Sequence, residues 1–274
     1  MSAFVRRSLT AAEMQARQLL RRRLSLYILV ALPLALYLST LTNGEESAIQ
    51  FGALGMGWSV ASAALFSVLA ARAVEPRLVL AGYRPAELMM GRFLLLLGIG
   101  AILGGIGAVG MTLVSGPASE GALLASCALV PLVSVALGLA VGAVLPHDLE
   151  GVLVIIGVVG VQLSLSQSSW LNLLLPLDGP IQLAYRAGGL PADPVVPMLV
   201  HALALTVLLL GVAAAWSRKV RVGHPRVRLE PGRAAGAARR PASIRVPIPS
   251  WRPEPLAVRS DLRPSTLRSY ETRP

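Results

Sequence analysis

Few residues in this chain have the type and spacing to do chemistry. His147, Asp148 and Glu150 set an imidazole close to two carboxylates. Such a trio could bind a ligand or supply an acid and a base if further polar residues joined it, but its spacing fits a solvated turn better. His201 and His224 stand apart, with no carboxylate or cysteine at metal-ligand spacing. Cys127 is the only cysteine, so the sequence offers neither a disulfide nor a thiolate metal site. The sole lysine, Lys219, has no glycine loop before it, and Gly-x-x-x-x-Gly-Lys-[Ser/Thr] does not occur. The sequence therefore gives the chain no nucleotide site of its own and no cofactor.

The elements that must position these residues are drawn by hydropathy. Of 274 residues, 54% are hydrophobic and only 14% charged, a composition outside that of ordinary soluble domains. The apolar residues cluster in runs at 24–41, 51–70, 93–114, 122–145, 151–166 and 195–216, none of which contains Asp, Glu, Arg or Lys. Each approaches the ~17–25 residues needed to cross hydrocarbon, the fifth being the weakest. They are apolar on all faces, whereas a soluble bundle needs amphipathic outer helices. The first run lacks a small-residue cleavage site and more runs follow it, so it reads as a retained span rather than a signal peptide.

Charge orients these spans. Of the 25 Lys and Arg residues, only Arg186 falls on the side opposite to all the others once six spans are drawn. The positive-inside rule then predicts six transmembrane helices with both termini cytoplasmic, whereas five or seven would place a basic terminus outside. The formal charge of +11 accordingly faces the anionic inner leaflet. It does not indicate nucleic acid, because the basic residues frame apolar spans without aromatic interleaving.

Three domains follow: an interface segment 1–23, a membrane domain 24–217 and a basic tail 218–274. Residues 8–23 read as an amphipathic helix at the inner surface, with Thr10 and Glu13 as a capping box. Pro33 should kink the first span or mark a local deformation. Gly100-x-x-x-Gly104 and Gly138-x-x-x-Gly142 permit close backbone approach, either within the chain or between two copies. After the fifth run, residues 164–185 hold an apolar stretch too short to cross. This predicts a short re-entrant helix that dips into the outer leaflet and returns near Pro180, the alternative being a surface loop. Gln167, Trp170, Pro176 and Pro180 are its candidate gate residues. The tail holds nine prolines between residues 217 and 274 and no periodicity, and reads as disordered.

One connection carries more pattern than a turn requires. Between the second and third spans, Pro76 and Pro85 can each open a helix and Gly82 can end the first. Leu78, Val79 and Leu80 offer an apolar contact among Glu75, Arg77, Arg84, Glu87 and Arg92. Such a surface can dock a soluble partner or lie on the bilayer.

This segment resembles the corresponding connection in the permease subunits of ABC-2-type transporters. There a glutamate, a hydrophobic stretch, a small residue and a second glutamate lead to Gly-Lys or Gly-Arg at the third span. Glu75, Leu80, Gly82, Glu87, Gly91 and Arg92 stand at those positions, and the six-span layout, the interface helix and the re-entrant segment extend the resemblance over about residues 8–217. The chain departs from the family in having Val74 where arginine often precedes the first glutamate, and in its long basic tail. The resemblance implies a bacterial plasma-membrane exporter built from two permease chains, identical or sister, and two cytoplasmic ATP-binding subunits, with ATP and magnesium held by the latter. Residues 75–92 would transmit their motion, and spans one, two and five would line the permease interface. The cargo would be hydrophobic or lipid-like. The competing readings are a non-transporting scaffold or sensor that recruits a cytoplasmic partner, and a membrane enzyme.

Overall fold

A computed structural model describes residues 3–21, 23–72, 74–165, 170–192 and 194–222. All regular structure among them is helical: α1 (Ala3–Arg21), α2 (Arg23–Thr40), α3 (Glu45–Ala71), α4 (Glu75–Leu80), α5 (Pro85–Ser115), α6 (Glu120–Val144), α7 (Asp148–Ser164), α8 (Asp178–Ala187) and α9 (Val195–Val222), with 3-10 turns at Leu41–Asn43 and Trp170–Leu174. The basic tail from residue 223 lies outside the described residues.

Five helical stretches are long and apolar enough to cross a membrane: Leu26–Asn43, Glu45–Ala71, Pro85–Ser115, Glu120–Val144 and Val195–Ser217. They coincide with five of the six apolar runs. The remaining run forms α7, whose 17 residues extend about 25 Å, short of the ~30 Å hydrocarbon core. It nevertheless packs along part of α3. Gly151 packs on Leu65, and Gln162 shares a pocket with Gln50 and Leu54.

The bundle is built around α6, whose buried residues extend from Ala122 to Gly142. Small residues bring its neighbours close. A Cβ added at Gly138 would collide with the Ala61 carbonyl of α3, and one at Gly142 would come within 2.9 Å of Val68 Cβ. On another face, Gly100 and Gly104 of α5 lie against Pro131 and the Cys127 carbonyl. Residue 131, a proline, has no N–H to give that carbonyl, so the position a helical bond would occupy is open to the approaching backbone. Both Gly-x-x-x-Gly motifs are thus used for packing within the chain. Pro33 has a similar role, since its Cα would be 2.7 Å from a Cβ at Gly55 of α3.

Outside this core the helices turn large apolar side chains outward. Ile102, Ile106, Val109 and Leu113 form one exposed stripe on α5, and Leu149, Leu153, Val154 and Ile156 do so on α7; α9 exposes Val196, Val200, Leu203 and Val207. A water-soluble protein does not carry several such stripes, whereas lipid chains solvate them at no cost. The chain is a polytopic helical membrane protein in architecture.

One expectation is corrected. Thr10 does not cap a helix: α1 begins at Ala3, and the Thr10 hydroxyl bonds the Arg6 carbonyl one turn back, 3.0 Å away. Pro180 sits in the first turn of α8, where a missing N–H costs nothing, and the helix continues to Ala187.

Candidate functional site

Residues 75–92 form a compact surface at one end of the bundle. Pro76 opens α4, and after Leu80 the chain reverses through Gly82 at φ +91°. The Gly82 N–H bonds the Val79 carbonyl and the Tyr83 N–H bonds that of Leu78. These are the two bonds of a Schellman motif, and its left-handed residue is the one only glycine takes without strain. Pro85 then starts α5, with the Glu87 carboxylate accepting from the Arg84 N–H at 2.8 Å.

The charges behind this surface are joined, and Glu87 and Arg92 among them are buried. Arg92, 4% exposed, donates to Glu75 at 3.0 Å and so ties the start of α4 to α5. Glu87, 3% exposed, lies 3.8 Å from Arg7 of α1, and Arg7 also donates to the Gly82 carbonyl at 3.2 Å. At Gly91 the missing side chain lets α1 rest on α5, for a Cβ there would be 2.6 Å from the Ser8 carbonyl. Of the eight candidate residues, Glu75, Gly82, Glu87, Gly91 and Arg92 therefore join α1, α4 and α5 into one unit. Arg77, Arg84 and Leu80 face outward. Leu80 is 88% exposed, a leucine presented on a rigid short helix between two arginines.

Sequence reasoning missed Arg7 and Arg72 as members of this end. Arg72 donates to the carbonyls of Gly142, Leu145 and Pro146 and so closes the end of α6. Only their positive charge was visible in the sequence. His147 and Glu150 pair at 3.2 Å, both exposed. Among the described residues no group of three or more His, Cys, Asp or Glu side chains could hold a metal.

The candidate gate residues lie at the opposite end and divide. Trp170 is exposed in its 3-10 turn, while Pro176 and Pro180 are buried. The Pro180 carbonyl accepts from Ser126 of α6 at 2.8 Å, which anchors α8 to the core. Gln167 lies outside the described residues. What surrounds them left no direct sign in the sequence: Gln50 of α3 donates to the Tyr185 hydroxyl at 2.6 Å, next to Gln162, Asn172 and Gln182.

No protein-family model matches the chain, and no curated protein matches it.

Proposed function

We propose that this chain is the membrane-spanning permease subunit of an ABC-2-type exporter in a bacterial plasma membrane, driven by ATP hydrolysed on a separate subunit. The observation that carries the reading is the exposed Leu80 on α4, flanked by Arg77 and Arg84 and backed by the ion pair of the partly buried Glu75 with the buried Arg92. A solvated loop needs no partly buried ion pair behind it. A lever that converts a partner's motion into helix motion does, because the force must pass from α4 to α5 without being absorbed by a flexible joint.

Six crossings place both termini and α4 on the cytoplasmic side, with α7 as the short fifth span. Its course along α3 and its outward apolar stripe support that count. Two permease chains would meet along spans one, two and five, and ATP binding would draw the paired α4 elements together to reopen that interface outward. The cargo is a hydrophobic or lipid-like molecule. No chemical step occurs in this chain; differential contacts in its two states do the work.

The test is purification of the full chain from its native membrane in mild detergent. A stoichiometric ATP-binding subunit carrying a Gly-Lys-Ser/Thr loop is expected with the wild type and lost with Leu80→Glu, which leaves every buried contact in place. An equal complex with Leu80→Glu, or none with the wild type, contradicts the proposal.

A further inference from the structure

α1 is held to the bundle by one face and free on the next. Ser8 and Ala11 are buried against Gly91 of α5. Val5, Leu9, Ala16 and Leu20 recur at the spacing that a single helix face collects. Val5, Leu9 and Leu20 on that face are 40%, 46% and 64% exposed, whereas Phe4 and Met14 are exposed singly elsewhere on the helix. Beside the apolar face run Arg6, Thr10, Glu13 and Arg17, all exposed.

The place where α1 docks decides what covers its free face. Gly91 lies near the start of α5, just ahead of the apolar run that begins at Phe93, so α1 rests at the rim of the hydrocarbon. It leads directly into α2, which turns Tyr27 and Ile28 outward at 70% and 58% exposure, on a surface that lipid must solvate. A protein partner would have to enter the bilayer rim to cover Leu9 and Leu20. Charge then selects the headgroup. α1 carries Arg6, Arg7, Arg17 and Arg21 against Glu13 alone, and arginine stems can lie on acyl chains while their guanidinium groups reach phosphates. Such a helix favours an anionic surface over a zwitterionic one.

Arg7 carries the consequence inward. It leaves α1 on the side away from Leu9 and Leu20, donates to the Gly82 carbonyl at 3.2 Å and lies 3.8 Å from Glu87. We propose that α1 is an anionic-phospholipid-binding helix, and that Arg7 makes the turn between α4 and α5 responsive to the charge of the lipid under α1. The inference rests on the membrane architecture and needs neither an ATP-binding partner nor a cargo.

The experiment places the full chain in nanodiscs of phosphatidylcholine, with and without an equal part of phosphatidylglycerol, and follows amide hydrogen exchange in residues 3–21 and 80–84. With phosphatidylglycerol α1 should exchange about tenfold more slowly, the weight of a few arginines beside an anionic surface. Arg6→Gln combined with Arg17→Gln, which alters exposed groups only, should remove most of that difference. Glu13→Gln should widen it, since Arg17 then no longer answers a carboxylate 2.6 Å away. Arg7→Gln should keep the slowing in α1 and lose it at 80–84. The tail is basic too, so a slowing undiminished in the Arg6 and Arg17 double variant overturns the proposal, as does equal exchange of α1 in the two lipids. Equal exchange of the wild type at 80–84 in the two lipids overturns the role given to Arg7.

Discussion

At the scale of single residues, the arginines at the α4 end serve as ties between helices. Arg72 donates to the Gly142 carbonyl in the last turn of α6 and to those of Leu145 and Pro146 just beyond it, where helical partners run out. Arg72→Met keeps the length of the stem and removes these bonds; it should destabilise the fold by roughly 2–3 kcal/mol, the worth of charge-assisted bonds to a helix end, in equilibrium unfolding by a denaturing detergent. A change under a few tenths would show that the bonds are not formed in the membrane. Glu75 and Arg92 should be coupled in a double-mutant cycle, since removing either leaves the other's charge poorly solvated. Gly82, Pro76 and Pro85 could be read from the sequence because each acts through its own backbone angles. The partners of Arg7, Arg72 and Glu87 could not, because they sit on helices far along the chain, and charge alone does not say which carbonyl it meets.

At the scale of elements, glycines sort by what faces them. Gly138 lies on the Ala61 carbonyl, whereas nothing lies within 4 Å of a Cβ at Gly98. Gly138→Ala should therefore force α3 and α6 apart and lower Tm, while Gly98→Ala should raise stability by up to about 1 kcal/mol through helix propensity alone. Equal effects from the two would contradict the packing described. The motifs were legible as close-approach sites, but spacing cannot say whether the approaching backbone belongs to the same chain. The start of α1 was misplaced for a related reason. A threonine before Ala-Ala-Glu has the pattern of a cap, but Ser8 and Ala11 dock against Gly91. That contact stabilises helix through the point where local chemistry would begin it.

At the scale of the whole molecule, the five long apolar helices were legible as apolar runs because a lipid solvent imposes a length on each, whereas the shorter fifth run forms the 17-residue α7. The polar pocket was hidden, since Gln50 and Gln162 are separated by over a hundred residues and meet only once α3 and α7 pack. The proposal of six crossings makes a further prediction about sidedness. In a Cys127→Ala background, cysteines placed at Glu13 and Ser250 should react with an impermeant maleimide from the same face, and one at Asn43 from the other. Glu13 and Ser250 reacting from opposite faces would leave an odd number of crossings. The central claim, that α4 is the surface on which an ATP-binding subunit acts, is tested most directly by a photo-crosslinking residue at Leu80 in intact cells, with Trp170 as the control at the far end. The account predicts a crosslink from Leu80 to a protein that carries a Gly-Lys-Ser/Thr loop and none from Trp170. Crosslinks from Leu80 to lipid alone would contradict it.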